Sequence, residues 1–220
     1  MRFDYTTGDA AGQNVCGKAT LAACNWISDN SPHPLRFALS GAIDTDKKHS
    51  HINTLHSRGA RVVAEAVLPK ATMREIMRVD TQALFAARQV TNVGGMLAGT
   101  SNNGLRAANA LAAIFIATGQ DAANVAESRS GIVFVDLLEN GDLYWSITLP
   151  SLIVASYGGG TGLATQRECL EIMDCYGQGK VLKLAEICAA TVLAGELSLA
   201  CAVLAGDWVE SHDKLGRNRP

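Results

Sequence analysis

The sequence predicts an α+β fold with helices and strands in mixed order. Three observations carry this. LRAANALAAIFIATG, stopped by Gly119, and KVLKLAEICAATVLAGELSLACAVLAG are long, strongly apolar runs that read as helices. An Asn140-Gly141 pair separates two apolar runs in SGIVFVDLLENGDLYWSITLP, the strongest short-range signature of a β-hairpin. No G-x-G-x-x-G follows a strand-like run, which argues against a Rossmann fold.

Taken in order, MRFDYT reads as a strand. TGDAAGQN is a small-residue turn leading into a helix through about Ser28. SDNSPHP is a loop by its Ser, Asn and Pro content, and LRFALSG reads as a second strand. After the charged stretch IDTDKKHSHIN, RVVAEAVLP shows the apolar alternation of a strand. KATMREIMRVDTQALFAARQ predicts one amphipathic helix begun at Pro69, and NVGGMLAGTSNNG a Gly/Asn-rich loop. LRAANALAAIFIATG is a helix stopped by Gly119, and LIVASYGGGTG a strand ending in three glycines. Two helical stretches, ATQRECLEIMDCYG and the long one from Lys180, lead to a polar basic tail, HDKLGRNRP.

The 220 residues are 48% hydrophobic and 18% charged, values of a folded globular chain. A net charge of −2 gives no electrostatic reason to expect nucleic acid or an anionic membrane as partner. The apolar runs read as too interrupted to span a bilayer. Arg2, Asp4 and Asp9 occupy the place of a leader's apolar core, so no signal peptide is expected. The cysteines (16, 24, 169, 175, 188 and 201) form no C-x-x-C pair and read as reduced core thiols. A cytoplasmic location is the expectation.

IDTDKKHSHIN holds Asp44, Asp46, Lys47 and Lys48 together, followed by His49 and His51. A solvated loop explains the charges. So does a site in which a buried lysine sits between carboxylates, remains protonated and stabilises an oxyanion. Asp121 offers such a lysine a partner, or it is the N-cap of a short helix. The histidines 49, 51 and 56 lack metal-ligand spacing, and no metal is expected. In TTGDAAGQN, Gly8, Gly12 and Asn14 surround a helix start whose N–H groups suit a phosphate, but Asp9 as a plain cap explains the motif equally well. Gly158, Gly159 and Gly160 allow close approach of a ligand or simply make a turn. Arg106 and Asn109 lie one turn apart on an apolar helix. His212 is a solvated tail residue or a general acid carried on a flap.

In combination, MRFDYTTGDAAGQN, SGAIDTDKKHSHIN, ATGQDAANV, DLYWSITLPSLIVASYGGGTGL, LAGELSLACAVLAG and ESHDKLGRNRP resemble, in order, the 3-hydroxy-3-methylglutaryl-coenzyme A reductases. They look most like the sterol-type, NADPH-using class found in soluble bacterial enzymes. The resemblance implies reduction of the thioester, HMG-CoA, to mevalonate and free coenzyme A by two hydride transfers. Lys47 then resembles the lysine that stabilises the oxyanion, Asp121 the aspartate that hydrogen-bonds it, and His212 the tail histidine that protonates the coenzyme A thiolate. Asp9, Ala11, Gly12, Gln13, Asn14, Gly158, Gly159 and Arg217 match NADPH-contacting positions. Ser40, Asp46, Lys48, Asn109 and Ser211 match positions that contact the substrate.

The resemblance also implies a division of the chain. Residues 1–39 would be the C-terminal part of a small α+β cofactor-binding domain, 40–50 the catalytic lysine loop, and 51–220 a large mixed helical and sheet substrate domain ending in a flap. The family's catalytic glutamate precedes the cofactor motif, so the chain is expected to be truncated and to lack it. Family active sites form between subunits, which implies a homodimer. Three positions depart from the pattern: Arg106 replaces a frequent histidine, Ala42 an asparagine, and Val90 a lysine that clasps the substrate carboxylate, with Arg88 as a possible substitute. The alternative is a non-catalytic remnant, or a module that binds coenzyme A or NADP and needs a complementary N-terminal half. A metal hydrolase using the histidines is a third possibility.

Overall fold

A three-stranded antiparallel sheet organises the chain, in a computed structural model that describes residues 1–216. Its strands are β1 (Ala60–Leu68), β2 (Ile132–Leu137) and β3 (Leu143–Leu152), in the order β1-β3-β2. β2 and β3 are the hairpin expected from Asn140-Gly141. They pair from Leu137↔Leu143, and Gly141 takes the φ of 85° that the turn requires. Leu143, Trp145, Ile147 and Leu149 alternate along β3 and are all buried, so one face of the central strand is core.

Helices cover that core. α8 (Val181–Ala205) packs on β1 and β3, while α5 (Ala107–Thr118) packs on α8 and on α7 (Ala164–Ile172). The buried stripe of α8 runs through Leu184, Ala185, Cys188, Val192, Glu196, Ala200 and Cys201, the spacing of one helical face. Among the described residues, α8 is also long and apolar enough to cross a membrane, which the sequence reading had not expected. Cys175, Cys188 and Cys201 are core thiols as expected. Burial pushes Cys188 to about 12 and Cys201 to about 11, whereas Cys16, Cys24 and Cys169 are half-exposed rather than core.

Several expected elements differ. Neither MRFDYT nor LRFALSG forms a strand, and Leu35, Phe37 and Leu39 remain exposed. Neither segment pairs with the sheet, and a strand exists only where a neighbour completes its backbone hydrogen bonds. The single helix expected after Pro69 is two, α3 (Lys70–Glu75) and α4 (Thr81–Leu97). Arg78 breaks it at φ 58°, and Asp80 starts α4 by accepting from Gln82 N–H at 2.9 Å. α4 then continues through Gly94 and Gly95, where a loop was expected. It ends before Gly99, whose φ is 71°. The expected tail is helical through Leu215, as α9 (Asp207–Leu215), set off from α8 by Gly206 at φ 82°.

The glycine run has a divided explanation. Gly119 ends α5 at φ 69°, and a Cβ there would lie 2.2 Å from Gly160 O. A Cβ on Gly160 would in turn lie 2.6 Å from Gly119 O, so packing requires glycine at both, whereas Gly158 and Gly159 have positive φ with open space beyond. Gly119→Ala is expected to lower stability in urea unfolding by about 1–3 kcal/mol from backbone strain, with the clash adding to it. Gly159→Ala incurs the strain alone and should cost less.

Candidate active site

The charged stretch folds as a loop in which Ala42, Thr45 and Lys47 all have left-handed φ, between 54° and 64°. It leads into α2 (His51–His56), whose start is capped by Ser50 accepting from Asn53 N–H at 3.2 Å. Ser40 donates to Asp44 at 3.0 Å, and Thr45 Oγ1 donates to Asn53 Oδ1 at 2.8 Å. The backbone N–H of Lys47 donates to Glu127 Oε1 at 3.0 Å. Asp46 is held at 2.8 Å by Arg58, whose other nitrogen pairs with Glu127.

The loop delivers the Lys47 ammonium to Asp121, with Nζ 3.0 Å from Oδ2. Asp121 Oδ1 meanwhile accepts from Ala123 N–H at 3.0 Å and caps the 3-10 turn Ala122–Asn124. The two roles considered for Asp121 thus coexist, one on each carboxylate oxygen. The hydrogen bond and charge of Asp121, helped by the charge of Asp46, raise the Lys47 pKa above its ordinary value. Arg58 works in the opposite sense. The expectation of a buried lysine needs correction, because the Lys47 side chain is 42% exposed. Asp46 engages Arg58 and not the ammonium, so one carboxylate contacts Lys47 rather than two.

A second group of residues gathers at the start of α1 (Gln13–Asp29). Gly12 takes φ 85° as its N-cap, without a side-chain cap, and a Cβ there would collide with Thr7. Asp9 does not cap this helix. Its carboxylate accepts from Gly179 N–H at 2.8 Å and Val181 N–H at 3.3 Å, at the start of α8. These N–H donors, Gly179 first, hold Asp9 below the usual carboxylate range. Ser156 N–H donates to Asp9 O at 3.0 Å, which joins the Asp9–Asn14 turn to the chain just ahead of Gly158 and Gly159. Gln13 Nε2 donates to Asn124 Oδ1 at 2.9 Å, linking the same turn to the segment that begins at Asp121.

The profile of the hydroxymethylglutaryl-coenzyme A reductase family matches residues 1–217. The chain belongs to that family. It is 40% identical over 221 residues to the 3-hydroxy-3-methylglutaryl-coenzyme A reductase of Methanocaldococcus jannaschii, covering 98% of this chain and 54% of the relative. Identity to the enzyme of the same name from Aeropyrum pernix is 42% over 224 residues, 99% of this chain and 53% of the relative. For that of Pyrococcus horikoshii it is 40% over 223 residues, 99% and 54%. The chain spans about half the length of these curated relatives.

Other positions that the reductase resemblance singled out are less gathered. Ser211 and His212 lie on α9, where His212 Nδ1 is 2.6 Å from Trp208 O and the His212 and Trp208 rings meet tilted, with centroids 4.9 Å apart. Among the described residues, no hydrogen bond or ion pair links them to Lys47 or Asp121. Asn109 is exposed on α5, and Lys48 Nζ donates to Asp46 O at 3.0 Å. Arg217 lies outside the described residues. Arg88 is no surface clasp: it is 3% exposed, 5.7 Å over the Trp145 ring, and donates to Asn103 O at 3.1 Å. Val90 is exposed on α4. No group of three or more His, Cys, Asp or Glu among the described residues is placed to hold a metal ion.

Sequence reasoning missed Glu127, Arg58 and Asn53, which support the lysine loop in this reductase-family chain. AESRS and HSRGA look like solvated segments, and nothing in one sequence marks Glu127 as fully buried. Glu196 was passed over for the same reason. It is buried on the apolar helix α8, where its carboxylate accepts from the N–H groups of Leu105, Arg106 and Ala107.

Proposed function

We propose that the chain carries the lysine half of the machinery that reduces 3-hydroxy-3-methylglutaryl-CoA to mevalonate and coenzyme A with NADPH. The observation that supports it most is the Lys47–Asp121 pair, with Nζ and Oδ2 3.0 Å apart on a loop fixed by buried groups. Asp121 keeps the ammonium charged, and Lys47 donates to the thioester oxygen as negative charge develops there. His212 delivers a proton to the departing thiolate, which requires α9 to bring it to the substrate.

The residues present fit a nicotinamide dinucleotide phosphate: the first N–H groups of α1 are open to an anion, and Gly158 and Gly159 face open space. Asp9, Ala11, Gly12, Gln13, Asn14, Gly158, Gly159 and Arg217 would hold it, and NADPH when bound supplies hydride. Ser40, Asp46, Lys48, Asn109 and Ser211 serve the substrate. In this reading residues 1–39 are the cofactor portion, 40–50 the lysine loop and 51–220 the substrate portion, in a cytoplasmic homodimer.

The test follows NADPH and NADH oxidation with the thioester, for the chain alone and with the N-terminal half of the Methanocaldococcus jannaschii relative added. Turnover with NADPH that depends on Lys47 supports the reading. A chain that binds neither NADPH nor coenzyme A by calorimetry, and stays inactive with the added half, is a remnant and sinks it.

A further inference from the structure

We propose that Arg58 and Glu127 are positioning residues that hold the backbone around Lys47 so that its ammonium meets the reacting oxygen. This rests on the catalytic reading of Lys47 above. Turns inside the loop, such as Lys48 N–H donating to Thr45 O at 2.9 Å, are offset by strain, since Ala42, Thr45 and Lys47 all occupy the left-handed region that L residues avoid. The contacts that fix Lys47 itself come from outside the loop.

Three consecutive residues are gripped separately. The Asp46 carboxylate is bound by Arg58 at 2.8 Å, the Lys47 N–H by Glu127 at 3.0 Å, and the Lys48 carbonyl by Asn53 Nδ2 at 3.4 Å. The holders are themselves joined: Arg58 pairs with Glu127, and Asn53 Nδ2 reaches Glu127 Oε2 at 3.3 Å. Glu127 is fully buried and Asn53 is 4% exposed, so water does not compete where these two meet the loop, while the Asp46–Arg58 pair is partly exposed.

Glu127 lies on α6 (Val125–Ser128), directly after the turn capped by Asp121. One short segment therefore holds Lys47 twice, at its ammonium through Asp121 and at its N–H through Glu127. A lysine stem has four rotatable bonds, so fixing the ammonium alone leaves the direction of approach open. Gripping the backbone as well defines it. Arg58 also neutralises Glu127, whose carboxyl is pushed up by burial and drawn down by the Arg58 guanidinium and the Lys47 N–H.

The test compares Glu127→Gln and Arg58→Lys with the parent chain, each combined with the N-terminal half of the relative. Glu127→Gln keeps the size of the side chain and one oxygen but removes the charge that Arg58 needs. Arg58→Lys keeps the charge but cannot bridge Asp46 and Glu127 with one planar fork. Each is expected to lower kcat by about 10–100-fold while KM for the thioester changes by less than about threefold, as expected for misplacement of a reacting group.

A second readout needs no turnover. Competitive acetylation of the 220-residue chain across pH, with the Lys47 peptide quantified by mass spectrometry, reports the accessibility and apparent pKa of its amine. Both variants are expected to shift the Lys47 profile while other lysines keep theirs. If either folded variant retains the parent kcat and the parent Lys47 profile, the positioning role is wrong. If the parent chain shows no turnover but the variants shift the Lys47 profile, the grip stands and the catalytic reading fails. Should Glu127→Gln not fold, Arg58→Lys decides alone.

Discussion

Lys47→Met, in the chain combined with the N-terminal half of a relative, is expected to reduce thioester turnover by about 10²–10³-fold, the scale of a lost preorganised donor to an oxyanion. Methionine keeps the length of the stem and removes only the charge and its hydrogen bonds. The backbone grip at Lys47 N–H is unaffected, so the loop should fold as before. Asp121→Asn is the informative companion. It keeps an acceptor for Ala123 N–H and so preserves the cap, but it removes the charge beside Nζ.

The pH dependence follows from the same contact. Because Asp121 raises the lysine's pKa above its ordinary value, turnover by the parent chain combined with the N-terminal half should not fall through Lys47 deprotonation until pH exceeds the usual lysine range. In Asp121→Asn the alkaline fall should move to lower pH, with kcat affected more than KM. Measuring kcat from neutral to alkaline pH for both chains checks this. An unmoved alkaline limb would mean that Asp121 does not set the protonation of Lys47.

The parts of the fold that could be read from sequence are those specified locally. Asn140-Gly141 requires the turn it makes, and Gly119 stops α5 through its own φ. The parts that could not be read depend on partners far along the chain. LRFALSG alternates like a strand but has no neighbour in the sheet, and the Gly94-Gly95 pair looks like a loop but lies inside α4. At the site, Lys47 stood out through its charged cluster and Asp121 through its alanine neighbours, and the family resemblance paired the two. Glu127 did not, because its importance comes from burial against Arg58, and burial is a property of the fold.

Glu196→Leu is expected to cost about 3–5 kcal/mol, because it removes a buried carboxylate that accepts from three N–H groups, the one on Ala107 buried with it. The donors are Leu105, Arg106 and Ala107, at 2.5, 2.6 and 3.0 Å, and they include orphan N–H groups at the start of α5. A cap usually comes from the residue just ahead of its helix, but α5 has no side-chain cap of its own. Its cap is supplied instead from α8, some 90 residues onward, so the carboxylate fastens the two helices while satisfying the terminus. A loss of that size is a large part of a domain's typical 5–15 kcal/mol, so the variant should be poorly soluble at 37 °C. Glu196→Gln retains one acceptor oxygen and should fall between, as measured by urea unfolding. The loss also reaches the site, since α5 runs from this cap to Gly119 and Asp121 follows two residues later. A folded Glu196→Gln chain should therefore hold Lys47 less firmly, and a stability within about 1 kcal/mol of the parent for Glu196→Leu would show that the carboxylate does not carry the helix start.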